Sequence, residues 1–249
     1  MTIEEYFGDW KSLIDMRELG IVLGKLNKVN PALVCPSMAN IFRAFELCSH
    51  RDLKVVMLGM DPYPQKGVAT GVLFGNKADV PEDNLSPSLQ VIKEAAINYE
   101  MPHGVITFDQ TMESWAKQGI LMINSALTCE MNKIGSHVMW WRPFMTKLLK
   151  NLSERDAGIM YVLFGRQAQT FEPYINKQYN EIIKIEHPAY FARTKQLMPH
   201  SVFTDINRFL KGRYGITIEW YQDSNNDINF NENESERDFS DNFFWPCSL

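Results

Sequence analysis

Lys54-Val-Val-Met-Leu-Gly59, followed at once by Met60-Asp61-Pro62-Tyr63-Pro64, decides the fold. The run is continuously apolar up to its glycine, as a strand buried on both faces must be, and the two prolines forbid its continuation in a sheet. Three further runs are of similar length: Ile120-Leu-Met-Ile-Asn124, Ile159-Met-Tyr-Val-Leu-Phe-Gly165 and Glu181-Ile-Ile-Lys-Ile-Glu186. The last alternates and so reads as an edge strand. Helical patterns occupy the intervals, over 38–48, 86–99, 112–117, 141–152, 167–178 and 201–211, with Ser86-Pro87 as N-cap and first helical residue of the second. Strands alternating with helices predict an α/β protein, a three-layer α/β/α sandwich around a four-stranded parallel sheet.

A parallel sheet presents its ligand site beyond the carboxyl ends of its strands. After the first strand stands Asp61; the second ends on Asn124; Gly165-Arg166 follow the third; His187-Pro188 follow the fourth. Each has a structural alternative: Asp61 as a turn cap, Asn124 as a helix cap, His187 as a core imidazole. Together they place an acid, an amide, a glycine turn and an imidazole on one rim.

The chain has 249 residues and a formal net charge of −5, which at face value disfavours a nucleic-acid partner. The charge is unevenly spread. Residues 223–249 hold seven acids and one base, a charge of −6, leaving +1 for 1–222. The predicted organisation is therefore a catalytic domain over 1–222 and an acidic, flexible tail over 223–249. The tail's terminal aromatics suit either docking on a partner protein or folding back on the domain. Four cysteines without a CxxC pair predict reduced thiols, and no apolar run approaches the ~20 residues of a membrane helix. With no signal-like start, the expectation is a cytoplasmic protein without metal or cofactor, and with no membrane partner.

The ordered motifs resemble those of the family-1 uracil-DNA glycosylases, as a divergent bacterial or viral member. Val55-Val-Met-Leu-Gly-Met-Asp-Pro-Tyr-Pro64 is similar to their first signature and His187-Pro-Ala-Tyr-Phe-Ala192 to their second. Between them, Gly71-Val-Leu-Phe74, Ser86-Pro-Ser-Leu89, the segment 114–128 ending its strand on Asn124, and Ser136-His137 occur in the family's order. The resemblance implies a monofunctional glycosylase that flips uracil from DNA and hydrolyses its glycosidic bond. Asp61 and His187 would be catalytic. Met60, Tyr63, Phe74 and Asn124 would hold the base. Ser86, Pro87, Ser88, Gly165, Arg166, Pro188, Phe191 and Arg193 would contact DNA, with Phe191 as the apolar wedge. The implied partner is single- or double-stranded uracil-containing DNA, bound by a monomer.

Several positions depart from the family pattern: Met60 for Gln, Pro64 for His, Arg166 for Ser, Ala189 for Ser, Tyr190 for Pro and Phe191 for Leu. The altered wedge and the tail motivate an alternative, a glycosylase-fold DNA-binding or replication-partner protein with weak or no turnover.

Overall fold

The computed structural model describes residues 3–100, 102 and 104–224. Four strands, β1 (Val55–Gly59), β2 (Ile120–Asn124), β3 (Met160–Phe164) and β4 (Glu181–Ile185), form one parallel sheet in the order β2-β1-β3-β4. These are the four runs read from the sequence, and the alternating β4 lies at the edge, paired to β3 alone. The register sets Val55 beside Ile120 and Met160, and Gly59 beside Asn124, so β1 and β2 end level with one another.

Side chains alternate along a strand, so each strand feeds two cores. Val56, Leu58, Leu121, Ile123, Tyr161 and Leu163 enter one, closed by helices Met16–Leu26 and Val138–Arg155. Val55, Met57, Ile120, Met122, Val162 and Phe164 enter the other, closed by helices Pro87–Ile97, Pro188–Thr194 and Ser201–Tyr214. The result is the α/β/α sandwich, with helices on both faces of the sheet.

Local departures have local causes. The helix expected over 38–48 splits into a 3₁₀ turn, Met38–Asn40, and a short helix, Arg43–Leu47. Phe42, non-helical at φ −107° and ψ 13°, packs with Phe45 around Phe7 at ring separations of 5.0 and 5.5 Å. Aromatic packing overrides helix continuation there. The pattern over 167–178 is likewise interrupted, becoming Gly165–Gln169 and then a 3₁₀ turn at Glu172–Tyr174 that contains Pro173. Helix Met16–Leu26 was not anticipated, although its signal is present: the Asp15 side chain accepts from the Glu18 N–H at 2.9 Å as its N-cap.

The division at 222 shifts. Asp223, assigned above to the tail, is buried and pairs with Ile106 in a two-residue ladder, while Ser224 N–H donates to Val105 O at 3.2 Å. The packed part thus includes both residues, and 225–249, the rest of the acidic segment, lies outside the described residues. Among the described residues no helix is long and apolar enough to cross a membrane.

Candidate active site

The carboxyl ends of the strands open onto a cavity of about 660 Å³, and Met60, Asp61, Tyr63, Phe74, Asn124 and His187 all line it. Its position follows from topology. From β1 the chain crosses to β2 on one side, then returns past β1 to β3 on the other, and such a reversal leaves a crevice at the strand ends.

The loop after β1 is fastened along its length. Met60 O accepts from Ala126 N–H at 2.9 Å and from Ser125 Oγ at 2.9 Å. Pro64 O accepts from Asn132 N–H at 2.9 Å. The thiols of Cys129 and Cys35 lie 3.5 and 3.6 Å from Pro62 O and Pro64 O as weak donors. Asp61 Oδ2 accepts from Gly135 N–H at 2.6 Å. Burial raises the Asp61 pKa above the ordinary carboxylate range, and the Gly135 N–H draws it part of the way back. Gly135 was missed by sequence reasoning, although it immediately precedes the recognised Ser136-His137.

Asn124 ends β2 beside Gly59. A Cβ at Gly59 would stand 2.7 Å from Asn124 Oδ1 and 2.3 Å from Leu73 Cδ1, so only glycine leaves the Asn124 amide its place. Among the described residues no group bonds that side-chain amide, which faces a cavity ligand with both its donor and its acceptor uncommitted.

Phe74 is held at φ +61°, a left-handed conformation uncommon for an aromatic residue and typical of functional sites. Its ring lies edge-on to Phe164 at 5.1 Å and to His187 at 5.5 Å. Tyr63 donates from its hydroxyl to Phe74 O at 3.2 Å and accepts from Ser86 Oγ at 2.6 Å. Burial pushes the Tyr63 hydroxyl up to about 12, so it stays a neutral donor.

His187 Nδ1 accepts from Ala189 N–H at 3.1 Å, capping helix Pro188–Thr194. That bond assigns the proton to Nε2, whose N–H is then free to donate. Burial lowers the His187 pKa below its ordinary value, favouring the neutral ring. Gly165, at φ +78°, packs against it: a Cβ there would come 2.9 Å from His187 Cβ. Gly165 is buried, and its visible task is this close approach.

The residues expected to meet DNA divide into three groups. Gly165, Arg166 and Arg193 line the cavity, and both arginines are exposed with no ion-pair partner among the described residues. Ser88 lines it too, but is buried. Ser86 and Pro87 line a neighbouring cavity instead, and the Ser86 hydroxyl is spent on Tyr63. Pro188 and Phe191 do not line the cavity. Because His187 starts a helix, positions 188 and 191 fall on its inward face, and Phe191 is only 7 % exposed in the second core. Phe191 is therefore not a projecting wedge; the aromatic of this helix that lines the cavity is the half-buried Tyr190.

The sequence model of the uracil DNA glycosylase superfamily matches residues 45–211. A uracil-DNA glycosylase of Campylobacter jejuni is 35% identical over 199 residues, covering 78% of this chain and 83% of that protein. One from Mesomycoplasma hyopneumoniae is 32% identical over 188 residues, covering 75% and 83%. The crystal structure of mimivirus uracil-DNA glycosylase has the same fold, with a TM-score of 0.67 at 22% identity over 88% of this chain and 91% of that one. Motif order, strand-end geometry and these matches agree, and the chain belongs to the uracil-DNA glycosylase superfamily.

Proposed function

We propose that this protein removes uracil from DNA by hydrolysing its N-glycosidic bond, leaving an abasic site for base excision repair. The observation that carries the residue roles is the meeting of Asp61, Asn124 and His187, from the ends of three different strands, around one cavity walled by Phe74.

The chemistry follows from the atoms. As the bond between uracil N1 and the sugar breaks, the sugar becomes cationic and the base anionic, with charge on O2. His187 Nε2–H donates to that oxygen. The Asp61 carboxylate stabilises the sugar cation and orients the water that adds to C1′. The Asn124 amide donates to O4 and accepts from N3–H. Cytosine presents an amine and a bare ring nitrogen at those positions, which mismatch the amide in this sense of its oxygen and nitrogen, so rejection of cytosine requires that the bound state hold the amide in that sense. Phe74 stacks on the ring, while Tyr63 stands where thymine would carry its methyl group. Extruding the base costs a few kcal/mol. Phosphate contacts from Arg166 and Arg193 supply part of the offsetting affinity, which therefore falls as salt rises.

The test is release of free uracil from an oligonucleotide containing it; a purified, folded protein that releases none refutes the assignment. The pH profile checks the roles. The reaction needs Asp61 ionised and His187 neutral. Asp61 has a raised pKa and His187 a lowered one, and both reach the active form as pH rises. The expected kcat/KM profile has one acid limb and then a plateau through neutrality. A decline between pH 6 and 8 that is abolished by His187→Ala would show instead that the protonated imidazole acts.

Gly165→Ala isolates the placement of His187. The new Cβ meets His187 Cβ at 2.9 Å, and the positive φ strains any side chain there. A displacement approaching 1 Å lowers the rate by roughly 10²-fold. A variant that melts as a folded protein yet keeps the wild-type rate would disprove this coupling.

A further inference from the structure

A second cavity, of about 590 Å³, adjoins the base cavity, and Tyr63 and Gln65 belong to the linings of both. Nothing in the mechanism above uses it. Its apolar walls come from Val68, Val80 and Leu85, and amide groups come from Gln65, Asn76 and Asn84. One cation, Lys77, and one anion, Asp79, complete its charged lining, so the space carries no net charge.

This space is built rather than incidental. Gln110 Nε2 lies 2.6, 3.1 and 2.8 Å from the carbonyls of Lys77, Ala78 and Val80, pinning one wall. Asn76 N–H donates to Gln110 O at 2.9 Å. Asn76 Oδ1 accepts from Ser86 N–H at 2.7 Å, which fixes the sense of the amide. Its Nδ2, in a side chain only 2 % exposed, is then left as a buried donor without a partner. Ser86 and Pro87, expected along the DNA backbone, line this cavity and not the first.

We infer that the second cavity receives the base of a nucleotide flanking the uracil, drawn out of its stack along with it. This inference rests on the glycosylase reading and extends it. The two cavities share Tyr63 and Gln65 as a common wall, so a strand with its uracil in the first can carry its next nucleotide to the second. Apolar walls with amide edges and no net charge suit a neutral heterocycle better than a phosphate. Every base offers a ring face and at least one acceptor, so the site tolerates sequence. It favours single-stranded DNA, whose neighbouring base has no pairing to lose.

The test uses single-stranded oligonucleotides with one 2′-fluoro-deoxyuridine, whose glycosidic bond resists cleavage. The nucleotide on its 5′ or its 3′ side either keeps its base or carries an abasic spacer. Binding is read by fluorescence anisotropy, so a failure of uracil release does not obscure the result. Removing the flanking base on one side is expected to weaken binding about tenfold, and removal on the other side to have little effect. Asn84, exposed at the rim of the second cavity and outside the catalytic set, supplies the variants. Asn84→Trp fills the space and is expected to weaken binding of the intact oligonucleotide by the same factor, abolishing the flank dependence. Asn84→Ala keeps it. Equal affinity for all three oligonucleotides overturns the inference, as does a flank dependence that survives Asn84→Trp in a protein with wild-type Tm. Flank-dependent binding without uracil release from the ordinary substrate would sustain the subsite and refute the glycosylase assignment.

Discussion

Asp61→Asn and His187→Ala are each expected to lower the single-turnover rate of uracil release by about 10²–10³-fold, with smaller changes in DNA affinity. In the proposed mechanism the two groups act on opposite ends of the breaking bond. Asn at 61 still accepts from Gly135 N–H, so the loop keeps the bond now 2.6 Å long while the charge facing the sugar disappears. Ala at 187 removes the Nε2–H donor and the Ala189 cap together. His187→Gln, which retains a donor, separates these losses and should recover part of the rate.

Stability moves the other way for Asp61. Its pKa in the folded protein is raised, so the folded state holds that proton more tightly than the unfolded chain does. The buried carboxylate then favours folding least at pH values above its folded pKa. Asp61→Asn should therefore melt at or above the wild-type Tm at neutral pH while losing activity. A lower Tm would show that the Asp61 carboxylate does not oppose folding at neutral pH, and an undiminished rate would remove Asp61 from the role proposed for it. A double variant no slower than either single one would mean that the two groups act as a unit and not on separate ends.

Gly59→Ala is expected to damage both stability and selectivity, although it adds one methyl group to the end of a central strand. That carbon would sit 2.3 Å from Leu73 Cδ1 and 2.7 Å from Asn124 Oδ1, closer than real contacts allow. Leu73 is buried where the second core borders the base cavity, so its Cδ1 must turn towards that cavity, and forcing an extra carbon into such packing costs about 1–3 kcal/mol. At this chain length that lowers Tm by roughly 2–12 °C. The second collision moves the Asn124 amide off the edge it reads, and the predicted signature is a raised KM for uracil with reduced discrimination against cytosine. Thermal melting and release assays on paired uracil and cytosine substrates check both effects. Unchanged kinetics in a destabilised variant would show that the strand shifts instead, leaving Asn124 in place.

Three strands were legible because a strand buried on both faces must be apolar at successive positions, and few other segments are; the fourth was legible by the alternation of an edge strand. Their order was not. Nothing in the local composition of β3 says that it joins β1 on the side opposite β2; that choice depends on which helices cover which face. Asp61, Asn124 and His187 were legible as strand-end residues, since a parallel sheet sends every carboxyl end the same way. Gly135 was not, because its contribution is a backbone N–H brought to Asp61 from 74 positions away, and an N–H leaves no mark in residue identity.

Phe191 shows the same boundary from the other side. Its residue type and motif position pointed to a wedge, but the His187 cap begins a helix whose turn carries Phe191 into the core. Read alone, the sequence determined the class of fold, the rim at the strand ends and the acid, amide and imidazole that stand on it, because hydrophobic period and strand termini are local properties. The tertiary structure decided the tautomer of His187, the raised pKa of Asp61, the direction in which Phe191 faces and the presence of a second cavity beyond Tyr63. Each of those depends on burial or on a partner distant in the chain, which only packing can bring together.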